Sequence, residues 1–157
     1  MQMLDRLEQL IAVAPLALES KPPAEAARRP QAGKWSPQEE LGHLIDSAVN
    51  NYGRIIRAQR EDNPALPGYE QDAWVERQDY QGRDWAELIA LWAAMNRHLL
   101  HAARRVPAAA LARRCSVGKT GMTLEFLIED YVDHVVHHLQ HIGVDVRQFR
   151  RAQSAYS

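Results

Sequence analysis

Residues 34–47 read KWSPQEELGHLIDS. Ser36-Pro37-Gln38-Glu39 has the form of a capping box with proline at the first helical position. The serine oxygen takes the Glu39 amide proton, and the Glu39 carboxylate reaches back to the Ser36 amide. A helix starts here. Leu41, Leu44, Ile45, Ala48, Tyr52, Ile55 and Ile56 then form one apolar stripe, which predicts a helix running to about Arg60.

Three further segments share this pattern. Residues 2–19 carry Leu4, Leu7, Leu10, Ile11 and Ala14 at helical spacing, followed by a polar, proline-containing link from Lys21 to Lys34. A third helix opens at Asp84, with Glu87 three residues on; Trp85, Leu88, Ile89, Trp92, Met95 and Leu99 form its stripe until Pro107 stops it. A fourth opens near Thr123, with Met122 and Leu127 placed as a hydrophobic staple. Leu124, Leu127, Ile128, Tyr131, Val135, Leu139 and Ile142 line it, Gly143 is placed to cap it, and a short helical tail follows. Four amphipathic helices with little strand signal predict an all-α four-helix bundle forming one domain over residues 1–157. The long links after the first two helices allow neighbours in space that are not neighbours in sequence.

Two links have features of their own. The connection over residues 61–83 is punctuated by Pro64, Pro67, Gly68 and Gly82, and its Tyr69, Trp74 and Tyr80 are expected to pack down on the body. The link before the fourth helix holds Cys115 and a turn at Gly118 to Gly121.

Composition narrows the function. The chain has 157 residues, 46% of them apolar and 25% charged, which suits one globular core. No run of eighteen apolar residues is present, so no membrane span is expected, and the amphipathic N-terminal stretch does not read as a secretory signal. Nineteen Lys and Arg against twenty Asp and Glu leave a net charge of −1. The arginine pairs 28/29, 104/105, 113/114 and 150/151 are dispersed, so nucleic acid is not expected as a partner. One cysteine rules out an intrachain disulfide and suits a reducing, cytoplasmic setting.

The chemistry concentrates in histidine. DHVVHHLQH contains His134, His137, His138 and His141. Residues four apart lie one turn apart on a helix, so His134/His138 and His137/His141 are each able to hold one ion from a single helix. His138 lies beside the apolar stripe and His134 on its near flank, whereas His137 lies almost opposite; the 134/138 frame therefore points inward. The spacing is that of zinc-protease helices, but Val135 stands where those need a glutamate. His141 is a reserve ligand or supporting group, and Asp130, one turn before His134, is placed to orient an imidazole. On the second helix His43 is about 160° from the stripe, grouped with Glu39, Asp46 and Asn50. Periodicity alone makes it a surface histidine; it turns inward only if that face is covered or lines a cleft. His98 and His101 are weaker candidates.

KWSPQEELGHLIDS at 34–47 and DYVDHVVHHLQHI at 130–142 resemble the second-helix and fourth-helix signatures of the DinB/YfiT-like superfamily of metalloenzymes. The four-helix pattern extends the likeness over nearly the whole chain. The resemblance implies an up-down-down-up bundle, often a homodimer. It implies a divalent ion (zinc, nickel or iron) on one histidine of the second helix and the HxxxH pair of the fourth, here His43, His134 and His138. Three imidazoles leave a coordination position open for a nucleophile. Members include thiol-dependent enzymes that join a low-molecular-weight thiol to an electrophile, and others described as metal-dependent hydrolases.

Three functions compete at this point. The first is a thiol-dependent S-transferase acting on a small-molecule substrate, with Cys115 not the nucleophile. The second is a hydrolase attacking with metal-bound hydroxide, for which Asp46 is the best-placed base. The third is a non-catalytic metal-binding or interaction module. Trp35, Tyr69, Asp72 and Trp74 are the candidate substrate-binding residues; Trp85 and Trp92 sit on a stripe and read as core.

Overall fold

The computed structural model describes residues 2–149; Met1 and residues 150–157, with the Arg150–Arg151 pair, lie outside the described residues. In chain order the elements are α1 (Gln2–Glu19), α2 (Pro23–Ala26), α3 (Pro37–Ala58), β1 (Ala65–Leu66), α4 (Gln71–Gln78), α5 (Trp85–Arg104), α6 (Ala108–Leu111), β2 (Arg114–Val117), β3 (Thr120–Thr123) and α7 (Leu124–Ile142). The long helices α1, α3, α5 and α7 make a four-helix bundle. Helix α1 packs on α5 and α7, and α3 packs on the same two. The first two long helices are therefore diagonal, which the links between them have the length to permit.

Local chemistry sets the helix starts. Ser36 accepts from the Glu39 amide at 3.1 Å while the Ser36 amide donates to Glu39 Oε2 at 2.9 Å, completing the capping box. Asp84 accepts from the Glu87 amide and Thr123 from the Phe126 amide. Gly143 closes α7 at φ 95°, a left-handed conformation that side chains disfavour. The stripes meet in one core, with Leu7, Leu10, Leu41, Leu44, Leu88, Trp92, Leu99, Leu124 and Tyr131 at 1% exposure or less.

The links hold more structure than the sequence predicts. Residues 114–123 form a hairpin, β2 antiparallel to β3, and β1 adds in parallel to β2. The chain remains mostly helical, and these three short strands lie in its links. Strands this short carry no readable alternation, and their pairing with residues 65–66 is a tertiary contact. Cys115 is fully buried on β2 opposite Met122, and burial pushes its thiol pKa up, as expected for a structural cysteine. The predicted helical tail is a single 3₁₀ turn at Arg147–Phe149.

The 61–83 connection packs down, as its aromatics imply. Tyr80, in a 3₁₀ turn over Tyr80–Gly82, lies flat on α3 at Gly42, where a Cβ would stand 2.2 Å from two ring carbons. Only glycine admits this approach. Gln38 fixes the same turn by donating to the Tyr80 carbonyl at 2.9 Å and to the Arg83 carbonyl.

Candidate metal centre

The cover over α3 reverses the surface reading of His43. Every residue of α3 from Gln38 to Ala48 is buried except Glu40, which is partly so. Helix α4 and the Tyr80 turn close the polar face on one side and α7 on another. His43 is 1% exposed, beside the Trp35 ring at 5.0 Å and the Tyr69 ring at 6.4 Å between centroids. A helix's own periodicity records one apolar stripe and is blind to a second partner on the opposite side.

Three imidazoles converge in that space. His43, His134 and His138 have ring centroids 4.4–5.0 Å apart, and each offers a nitrogen within 4.8 Å of the others'. Nε2 of His43 lies 3.1 Å from Nε2 of His134. Nitrogens about 2.0–2.1 Å from a shared zinc ion stand roughly 3.0–3.4 Å apart, so the spacing fits a common ion. Burial above all, then the neighbouring imidazoles, holds the His43 pKa down to about 4 and that of His134 to about 3. Both rings are therefore neutral near pH 7, the form a metal requires.

Supporting contacts orient these rings. Nδ1 of His138 pairs with Glu40 Oε2 at 2.5 Å, which leaves Nε2 facing the cluster. Ser47 Oγ stands 3.3 Å from Nδ1 of His134. His43 Nδ1 is buried with no hydrogen-bond partner among the described residues. Such supports fix tautomer and direction. The sequence reading missed both Glu40 and Ser47, although Glu40 lies one turn before His43 and Ser47 one turn after.

The remaining candidates divide. His137 is exposed, as its angle predicts; His141 is half exposed, its Nδ1 3.7 Å from Glu40 Oε1. Asp130 is exposed and lines a cavity with His43 and His134. Asp46 is 2% exposed and serves the cover: its Oδ1 accepts from the Tyr80 hydroxyl at 2.6 Å and from Gln78 Nε2 at 2.7 Å. Burial raises its carboxyl pKa against these two hydrogen bonds. Trp35 and Tyr69 flank His43, while Trp74 packs against Tyr69 with ring centres 5.1 Å apart and planes tilted by 57°. Asp72 lines a separate cavity with Arg29, Lys34 and Trp35.

The cavity beside the histidines has a volume of about 240 Å³, and its wall includes Arg54, Tyr69, Met122, Leu127 and Tyr131. A three-histidine cluster opening on a cavity within a four-helix bundle is the kind of arrangement from which helical-bundle metal sites are built. Comparison with known proteins gives the family. The DinB superfamily model matches residues 6–142, and the chain belongs to that superfamily. YfiT of Bacillus subtilis (strain 168), provisionally named a metal-dependent hydrolase, is 30% identical over 112 residues, 70% of this chain and 63% of that protein. The chain thus covers less than two thirds of that relative. BH0277 of Halalkalibacterium halodurans, named in the same way, is 28% identical over 75% of this chain and 69% of its own. The solved YfiT structure, described as an unusual four-helix bundle, superposes with a TM-score of 0.83 at 26% identity, over 90% of this chain and 82% of that one. A mycothiol-dependent maleylpyruvate isomerase shares the fold at 13% identity and a TM-score of 0.75, over 94% of this chain and 64% of that one.

Proposed function

We propose that this chain is a metal-dependent enzyme that holds one divalent ion on His43, His134 and His138 and transfers a low-molecular-weight thiol to a small electrophile. The observation that carries it is the convergence of three imidazoles, two of them on the wall of a cavity. Zinc, nickel and iron all suit such a donor set. When bound, the ion supplies Lewis-acid stabilisation of a nucleophile's anion near neutral pH.

The protein's own groups do the rest. Glu40 holds the His138 imidazole with Nδ1 engaged and Nε2 free. Ser47 holds His134. Trp35 and Tyr69 close over His43 and keep bulk water from its face. Cys115 is fully buried on a strand, which supports an external thiol as the nucleophile. It also suits a reducing cytoplasm.

A hydrolase is the second reading, favoured by the names of the relatives. Asp130 is then a better base than Asp46, because it lines the cavity whereas the one bonded oxygen of Asp46 faces Tyr80 and Gln78. The deciding experiment assays the zinc- and nickel-loaded protein with a chlorinated nitroarene and a panel of thiols, and separately with activated esters in water. Turnover that needs both thiol and metal, and disappears in His43→Ala, supports the transferase. Ester turnover indifferent to thiol supports the hydrolase and overturns the transferase.

A further inference from the structure

Arg54 lies eleven residues after His43 on α3, three turns along and about 20° round, so it continues the line of His43, Ser47 and Asn51. It is 9% exposed. Its Nε and Nη2 donate to the Pro67 carbonyl at 3.3 and 2.9 Å, and its Nη1 to Asn51 Oδ1 at 3.4 Å. All of these acceptors are neutral. Among the described residues no carboxylate stands within ion-pair distance of it, and burial pulls its pKa down.

Other arginines that meet side chains across the fold find carboxylates. Arg29 forks onto Glu39, Arg6 meets Asp133, and Arg104 bridges Asp5 and Glu8. A buried cation without a countercharge loses hydration that carbonyl oxygens restore only in part. A guanidinium offers five N–H donors, and this one has spent three, two of them at long range. Such an arrangement is costly to the fold and useful to a ligand.

The position indicates which ligand. Arg54 lies with Cζ 5.9 Å from the Tyr69 ring centre, and that centre lies 6.4 Å from the His43 ring. The guanidinium is thus within about 12 Å of the His43 ring, the sum of those two separations. Both residues line the 240 Å³ cavity, which Val117, Met122 and Leu127 make apolar along one side. A single guanidinium beside an apolar wall suits a monoanion with an aliphatic part better than a phosphate dianion.

We propose that Arg54 anchors the carboxylate of a small organic acid whose reactive end faces the three histidines. That this acid is the substrate rests on the function proposed above; the binding of the anion does not. Recognition is by charge-assisted hydrogen bonds from the open guanidinium edge, with the aliphatic part against the apolar wall.

The test is a ¹⁵N NMR titration of zinc-loaded and chelator-treated protein with butyrate, butyramide and inorganic phosphate. Saturable movement of the Arg54 Nε–H signal with butyrate is expected in both metal states, with butyramide at least tenfold weaker. Arg54→Met should weaken butyrate at least tenfold, and Arg54→Lys should retain part of the affinity. If Arg54→Met does not fold, the butyrate–butyramide contrast and the lysine variant still decide. Equal binding of acid and amide, unchanged butyrate affinity in Arg54→Met, or tighter binding of phosphate overturns the proposal. Loss of butyrate binding on chelation alone assigns the carboxylate to the metal and also overturns it. Persistence of butyrate binding in protein that takes up no metal would sink the metal reading and leave this one intact.

Discussion

Removing Glu40 tests whether the histidines form a metal site or merely a packed cluster. Glu40 Oε2 lies 2.5 Å from His138 Nδ1, and the two side chains are only 15% and 13% exposed. A hydrogen bond to a charged partner at such a site is worth about 1.5–3 kcal/mol. Losing a carboxylate support of this kind lowers metal affinity about 10- to 100-fold, or roughly 1.4–2.7 kcal/mol. Glu40→Gln keeps an acceptor of the same length and gives up the charge, so it should sit near the tenfold end. Glu40→Ala gives up both and should approach a hundredfold. His141→Ala is the control: its Nδ1 is 3.7 Å from Glu40 Oε1, so affinity should stay within about twofold of the wild type. The assay is competition for Zn²⁺ against a chromophoric chelator, on protein stripped and refilled, with circular dichroism to confirm folding. A folded Glu40→Ala variant that binds zinc like the wild type, while His138→Ala has lost it, refutes the reasoning.

Acid should destabilise the metal-free protein in a defined window. His43 and His134 titrate near 6.5 when unfolded but only at about 4 and about 3 in the fold, so below pH 6.5 the unfolded chain takes up protons that the fold refuses. Stability should fall as pH drops from 6.5 toward 4, by up to about 1.4 kcal/mol per unit for each histidine, and urea melts of chelator-treated His134→Gln should show a flatter slope. Asp46→Asn keeps an acceptor for Tyr80 and removes a buried charge, so its stability should lie within about 1 kcal/mol of the wild type or above it. Asp46→Ala removes the shorter acceptor of the Tyr80 hydroxyl, leaving Gln78 Oε1 at 3.1 Å, and the acceptor of Gln78 Nε2; it should cost about 1–3 kcal/mol, with zinc content unchanged in both. Gly42→Ala gains about 0.5–1 kcal/mol in helix propensity but drives a methyl into the Tyr80 ring, 2.2 Å away. The overlap should win, with a lower melting temperature and faster proteolysis within 71–83 than in wild type.

The bundle was legible because its signals are local. Ser36 with Glu39, Asp84 with Glu87, and Thr123 before its stripe each announce a helix within four residues. The HxxxH frame was legible for the same reason, since one helix fixes the angles of His134, His137 and His138. Contacts made across the chain were not. His43 is buried by α4, Tyr80 and α7, none of which its own helix encodes. Glu40 meets a histidine 98 positions away. Two strands of four residues and one of two left no periodicity to read. Arg54 lay in view on the His43 line, but its lack of an acidic partner is a tertiary fact.

The central claim is that His43, His134 and His138 hold one ion. The direct measurement is metal content by inductively coupled plasma mass spectrometry, on protein purified without an affinity tag, for the wild type, for each single alanine variant and for His137→Ala. The account predicts one divalent ion per chain in the wild type and in His137→Ala, and well under half of that in each of the other three. Full metal in folded His43→Ala and His138→Ala, or none in the wild type after growth and refilling with zinc, nickel and iron, would contradict it.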